Sequence, residues 1–323
     1  MTLRRIGITL GDPGGVGPEI VFKALAGDYK LPKAEYVIFG SAPVLRAEEK
    51  ALGIHFDFGS GKPRPTRLSG SLTFHEIPGS LRTVTKGAPT AANGRESFLY
   101  FQAAVDEARK GNLQAIVTTP ISKSSWALAG VPWKGHTDYL SRFYRGVIMG
   151  FWSDKLKLAL LSHHVSLKDA LKKIKKESLQ KFFISLDRSL KKVRPGKFTF
   201  MVAGLNPHAG EDGLMGREEV EEVGPAVEEA RRQGISISGP YPPDVVFRSA
   251  LGQSDTFVIA LYHDQGLIPF KLLAFASGVN VSLGLPFIRT SPDHGTAFDI
   301  AGKDRADPHS LVEAIKLAAT LSC

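Results

Sequence analysis

"FVIALYHDQGLIPFKLL" (residues 257–273) begins as an unbroken apolar run, Phe257 to Tyr262, and then changes abruptly to His263-Asp264-Gln265-Gly266. An apolar run of that length is the pattern of a strand covered on both faces, as in a mainly parallel sheet. Ligands of open parallel sheets bind beyond the carboxyl ends of the strands. The ionisable pair at this strand's end therefore reads either as a polar turn or as the rim of an active site. Gly266 would let the chain turn.

The same alternation extends along the chain. Strands are expected at Ile6–Leu10, Tyr36–Phe39, Ala115–Thr119, Gly146–Phe151, Leu156–Leu161, Phe198–Leu205, Phe257–Tyr262 and Val279–Leu283. Helices are expected at 17–27, 42–51, 90–110, 122–129, 137–144, 167–193, 216–233 and 309–321. This order predicts the α/β class, with a mainly parallel sheet core in two α/β/α domains. The Gly-, Pro-, Ser- and Thr-rich stretch 53–90 reads as loop and edge structure. A hinge is expected near 134–138.

A chain of 323 residues can bury a sizeable core, and 23% charged residues is ordinary soluble usage. The one cysteine, Cys323, cannot form an internal disulfide, which suits a reducing cytoplasm. The apolar run in "MTLRRIGITLGD" is too short for a signal peptide, and no stretch is long enough to span a bilayer. The net charge of +9 is concentrated in residues 168–197, which hold eleven Lys or Arg against three Asp or Glu. Leu167, Leu171 and Ile174, then Leu179 to Val193, recur at helical spacing, so amphipathic helices with a solvated basic face explain the charge. The stretch lacks stacking aromatics and groove-reading motifs, which argues against nucleic acid.

Five stretches carry chemistry. "ITLGDPGGVGPEI" (8–20) turns from strand to helix through Gly11, Gly14, Gly15 and Gly17, with Pro18 suited to the first helical turn. It spells neither G-x-G-x-x-G nor Walker A, so tight packing is as good a reading as anion binding. "VTTPISKSSW" (117–126) sets hydroxyls and Lys123 at a strand end, placed to hold a phosphate or carboxylate, while Ser122 suits an N-cap. "KGHTDYL" (134–140) offers Thr137 as an N-cap beside His136. His163-His164, His208 and His263 each follow a different strand. Parallel strands would bring these ends to one edge, and three imidazoles with an open position is a catalytic metal arrangement. Asp264 and Asp244 are candidates to orient such ligands. Residues 278–308 carry Asn280, Arg289 and a long polar loop, and arginine suits bidentate binding of phosphate or carboxylate.

Taken together, "GDPGGVGPEI", "GHTDYL", "NPHAGEDGLMGREE", "YHDQGLIPFK" and "RTSPDHGTAFDIAGK" resemble, in order and spacing, the 4-hydroxythreonine-4-phosphate dehydrogenase family of vitamin B6 biosynthesis. That family is similar to the isocitrate and isopropylmalate dehydrogenases. The resemblance implies a homodimer with its site between domains and shared between subunits, NAD or NADP as cofactor, and one divalent metal (Zn, Mg or Co) per site. His164, His208 and His263 would bind the metal, with His263 reaching in from the partner subunit. His136, Thr137, Lys271, Asn280 and Arg289 would bind the small phosphorylated substrate. His294, Gly295, Thr296, Ala297, Asp299 and Ile300 would hold the cofactor's adenosine part. Lys271, Asp244 and Asp264 are the catalytic candidates. The expected domains are 1–135 plus 303–323, and 136–302, the latter carrying the metal ligands and dimer interface. Ser166 stands where the family usually has proline, and Gly14 where it usually has alanine. The implied reaction is oxidation of 4-phosphooxy-L-threonine to a β-keto acid that loses CO2 to give 3-amino-2-oxopropyl phosphate. Sister enzymes acting on D-threonate or D-erythronate 4-phosphate are the alternative. A non-catalytic binding protein using the basic 168–197 face is the second.

Overall fold

The computed structural model describes residues 3–56, 58, 68–79, 81, 83–194, 196 and 198–322. Cys323 and part of the 53–90 stretch lie outside the described residues. The chain forms two compact units, Met1–Arg145 with Pro286–Cys323, and Gly146–Leu285. The sequence expectation put the divisions at 135/136 and 302/303. The difference has a physical cause. The ring of Tyr139 packs on Phe98 and Phe101, and the strand after 285 pairs with the 115–118 strand, so both segments stay with the first unit.

The first unit starts with β1 (Arg5–Thr9), α1 (Gly17–Ala26), β2 (Glu35–Gly40), α2 (Ala42–Leu52), β3 (Ser71–Glu76), α3 (Ala91–Arg109), β4 (Ala115–Thr118), α4 (Lys123–Leu128) and α5 (His136–Ser141). β3 arises inside the 53–90 stretch and is the edge strand of the sheet, in keeping with the edge structure expected there. Ser122 caps α4 as expected, its Oγ accepting from Ser125 N at 3.0 Å. Thr137 does not cap α5, because Gly135 precedes a helix that already starts at His136.

The second unit contains β5 (Ile148–Trp152), β6 (Lys157–Leu160), α6 (Leu167–Leu171), α7 (Lys176–Val193), β7 (Thr199–Ala203), α8 (Gly224–Arg232), β8 (Ile237–Tyr241), α9 (Pro243–Ser249), β9 (Thr256–Ala260), α10 (His263–Ala274) and β10 (Val279–Leu283). The chain returns to the first unit with β11 (Ile288–Pro292) and α11 (His309–Leu321). The helix expected over 167–193 is broken because Glu222 accepts from Lys176 N at 2.7 Å and Lys175 Nζ at 2.8 Å, holding Lys175 extended. The expected 216–233 helix begins with one wide turn, Glu219–Val223, before α8.

In the first unit the order is β3-β2-β1-β4-β11, all parallel. The order reverses direction between β1 and β4. With right-handed crossovers this puts α1 and α2 on one face and α3 on the other. Such a reversal opens a crevice beyond the carboxyl ends of β1 and β4, the usual ligand position. The glycine-rich loop lies there. Gly11 has φ +68, and a Cβ on it would stand 2.3 Å from Thr119 Oγ1, so glycine is required.

In the second unit the order is β10-β5-β6-β9-β7-β8. β6, β9, β7 and β8 run parallel, whereas β5 is antiparallel to both β10 and β6. The carboxyl ends of β6, β9 and β7 therefore share an edge, as the histidine placement predicted. Gln265 joins two of those ends: Oε1 accepts from Leu261 N at 2.7 Å and Nε2 donates to Gly204 O at 2.6 Å. The core beneath is built from Leu158, Val258, Ala260, Leu267 and Phe270. Among the described residues no helix is long and apolar enough to cross a membrane.

Gly266 does not make a turn. It lies inside α10, where it permits close approach to the sheet: a Cβ would stand 2.7 Å from Leu158 Cδ2 and 3.0 Å from Ala260 Cβ. The Gly266→Ala substitution should therefore push α10 off β6 and β9 and cost about 1–3 kcal/mol. The check is a urea titration, with the midpoint falling and the slope unchanged; an unaltered midpoint contradicts the close-packing argument.

Candidate active site

Two groups of side chains stand out, one in each unit. In the second unit His163 and His164 follow β6 and His263 opens α10, and all three line one pocket with Ser162, Tyr262 and Asp264. The rings of His164 and His263 are 5.8 Å apart. Nδ1 of His263 lies 2.7 Å from Asp264 Oδ1. A proton shared there leaves Nε2 as the lone-pair nitrogen, the form in which histidine binds metals. His163 is half-buried with an unpartnered Nδ1, and burial pushes it down to about 4.

His164 and His263 thus meet within one chain, and His263 need not cross from a partner to reach His164. His208 does not complete the set: among the described residues no three His, Cys, Asp or Glu side chains form a metal-ligating group. His208 is exposed on a tight turn, Pro207–Gly213, in which residues 208–212 all have positive φ. That left-handed backbone is costly for non-glycine residues and persists only when its surroundings impose it. Glu219 does so. It is 3% exposed; Oε1 accepts from Leu205 N and Asn206 N, both at 2.7 Å, and Oε2 from Asn206 Nδ2 at 2.9 Å. Sequence reading missed Glu219; its only signal was an acid in "GREE". Asp244 is exposed on the first turn of α9, which packs on the His208 turn. Lys271 and Asn280 are half-buried, on α10 and β10, and Asn280 Oδ1 is buried without a partner.

In the first unit Arg289 extends from β11 and is 4% exposed. Its Nε and Nη2 donate to Thr118 Oγ1 at 3.1 and 2.8 Å, and Nη2 lies 3.0 Å from His136 Nδ1. Burial lowers the guanidinium to about 10, so it stays charged at neutral pH. Because arginine only donates, His136 Nδ1 must accept, and its proton sits on Nε2. Burial and the neighbouring cation hold His136 well below its ordinary value, which keeps it neutral. Its ring is wedged against Phe101 and Trp126. Nε2 is buried and without a partner. A buried N–H beside a guanidinium suits an acceptor such as phosphate or carboxylate. Thr137 follows His136, half-buried.

The cofactor candidates lie on a loop fastened to α1. Thr296 O accepts from Val16 N at 3.0 Å, and a Cβ on Gly15 would meet Thr296 at 2.8 Å. Glu19 Oε1 accepts from Ala306 N and Lys23 Nζ at 2.8 Å, and Lys23 also reaches Ala306 O and Asp304. Ala297 has φ 42 and its carbonyl accepts from Ile300 N. His294 and Gly295 are exposed, with open space where a Gly295 Cβ would stand; Asp299 is exposed and Ile300 half-buried. In the basic stretch, Lys172, Lys175 and Lys191 pair with Asp169, Glu222 and Asp187. A solvated, internally paired face accounts for them.

Known proteins resemble the chain along nearly its whole length. Residues 32–318 match the family model of the pyridoxal phosphate biosynthetic protein PdxA. The 4-hydroxythreonine-4-phosphate dehydrogenase of Aquifex aeolicus is 42% identical, over 97% of both chains. The D-threonate 4-phosphate dehydrogenase of Salmonella typhimurium is 38% identical over the full length of both. The crystal structure of a 4-hydroxythreonine-4-phosphate dehydrogenase from Klebsiella pneumoniae superposes with a TM-score of 0.88 at 36% identity, covering 99% of this chain and 98% of that one. With matches at this identity along nearly its whole length, the chain belongs to the PdxA family of pyridoxal phosphate biosynthetic proteins.

Proposed function

We propose that the chain oxidises the C3 hydroxyl of 4-phosphooxy-L-threonine with NAD and a divalent metal, giving a β-keto acid that decarboxylates to 3-amino-2-oxopropyl phosphate. The observation that carries this reading is the Arg289–Thr118–His136 arrangement, a buried cation flanked by an unpartnered N–H, in a member of the PdxA family. In the reaction the C3 hydrogen leaves as hydride and the hydroxyl proton leaves to a base. When bound, NAD supplies the hydride acceptor and the metal a Lewis acid that lowers the hydroxyl pKa.

Arg289 and the Nε2–H of His136 receive the substrate's phosphate or carboxylate, with Thr137, Lys271 and Asn280 assigned to the substrate by the family resemblance. His164 and His263 would hold the metal, since both open on one pocket and Asp264 fixes the His263 tautomer. Imidazole ligands suit zinc or cobalt better than magnesium, which prefers oxygen. The loop from His294 to Ile300 would hold NAD, its Thr296 carbonyl accepting from Val16 N. Lys271, Asp244 and Asp264 are the candidates for the base, Asp264 through its contact with His263.

A homodimer belongs to the same reading. Ile268, Leu272 and Phe275 form an exposed apolar stripe on and just beyond α10. Leu272 lies about 13 Å along the helix from His263 at 1.5 Å per residue. A second copy docked there would lie close to the histidine pocket and could supply its His208 as the third ligand. D-threonate 4-phosphate is the rival substrate, favoured by the Salmonella relative that spans the whole chain.

A panel of 4-phosphooxy-L-threonine, D-threonate 4-phosphate and D-erythronate 4-phosphate, read by NADH absorbance, tests the substrate. The first should turn over fastest, and a chelator should abolish the signal. Faster oxidation of a sugar-acid phosphate would reassign the enzyme. Arg289→Ala should raise KM about 10- to 100-fold, as loss of a charged hydrogen bond of about 1.5–3 kcal/mol implies. An unchanged KM removes Arg289 from the site. Mixing His208→Ala with His263→Ala protein should restore part of the activity, whereas His164→Ala with His263→Ala should not. Recovery in both mixtures would place the subunit crossing at His263.

A further inference from the structure

The geometry points to Thr118 as the positioning residue that aims Arg289 and, through it, sets the tautomer of His136. The inference rests on the reading of Arg289 as the substrate's anion site.

Thr118 is fully buried at the carboxyl end of β4, beside β11. Its hydroxyl accepts from both Nε and Nη2 of Arg289, at 3.1 and 2.8 Å. A hydroxyl has two acceptor lone pairs and one proton, so both acceptor positions are filled and the proton is left to donate. It is directed to Thr290 O, 3.5 Å away on β11. The orientation of the hydroxyl is thereby determined from three sides, and it fixes one edge of the guanidinium plane. Nη2 then meets His136 Nδ1 at 3.0 Å, which makes Nδ1 the acceptor and leaves the proton on Nε2. Thr118 thus controls two donors at once, one by contact and one through Arg289.

The side-chain type is specific. Valine has the same shape and no acceptor, so it would leave two buried N–H groups of a cation without the oxygen that orients them. Serine keeps the oxygen and loses only a methyl. A residue that merely filled space would show the opposite order of tolerance.

The test uses full-length enzyme with 4-phosphooxy-L-threonine as the probe, comparing Thr118→Val, Thr118→Ser, Arg289→Ala and the Thr118→Val/Arg289→Ala double variant. Thr118→Val should raise KM about tenfold with a smaller change in kcat, as loss of an orienting bond to a binding group requires. Thr118→Ser should recover most of the loss. In the Arg289→Ala background Thr118→Val should add nothing, because residues acting through one group are not additive. Equal effects of Thr118→Val with and without Arg289, or a valine variant better than the serine one, overturn the inference. A KM unmoved by Arg289→Ala overturns the anion-site reading itself, whereas a KM raised by Arg289→Ala but not by Thr118→Val overturns only the role of Thr118. Should the valine variant not fold, Thr118→Ala, which also lacks the oxygen, takes its place with the same outcomes.

Discussion

One side-chain amide ties together the edge on which the second unit's chemistry sits. Gln265 is 9% exposed, accepts from the backbone just beyond β9 and donates to the backbone just beyond β7. Parallel pairing alone brings strand ends to a common edge but does not fix the chain after it leaves the ladder. Gln265 supplies that fixation from the first turn of α10, two residues after His263. Gly266, the next residue, lets the helix lie directly on Leu158 and Ala260. The position of His263 is therefore set by backbone bonds and by packing, not by the histidine's own contacts.

The first unit solves a different problem. It must orient a buried cation. Thr118 and His136 supply neutral acceptors to Arg289. The strand register makes this possible: β11 pairs with β4 with Arg289 opposite Ile116 and Thr290 opposite Val117, so the guanidinium reaches toward the end of β4. The glycine-rich loop closes the neighbouring space. Burial raises the Asp12 carboxyl, while Gly14 N donates to Oδ1 at 2.9 Å.

Much of this was legible in the sequence, because periodicity reports burial. The runs at Phe257–Tyr262, Ala115–Thr119 and Leu156–Leu161 are apolar on both faces and all became interior strands. The stretches that were misread have weak or mixed periodicity. β8, "ISGPY", contains both glycine and proline, and β11, "IRTSP", contains a charged residue whose burial depends on distant partners. α10 begins with His-Asp-Gln-Gly and carries Pro269, so local preference argued for a turn, and packing against the sheet overrode it. Thr137 was read as a cap from its type alone, whereas the cap position is taken by Gly135, whose φ of 152 leaves the helix to start at His136.

The candidate site was legible in residue type and not in backbone. Among the described residues, positive φ at non-glycine positions occurs at His164, His208, Ala209, Glu211, Asp212, Ala297 and Asp304. All but Asp304 lie in stretches assigned to metal or cofactor. Such conformations cost about 1–3 kcal/mol each, and no local sequence preference calls for alanine or glutamate there. Beside the His208 turn, Glu219 accepts from the backbone of Leu205 and Asn206. A buried carboxylate that accepts three hydrogen bonds fixes the chain as it enters the turn. The chain leading into the turn is thus fixed by a residue outside the histidine pocket, and His208 is exposed on the turn that follows.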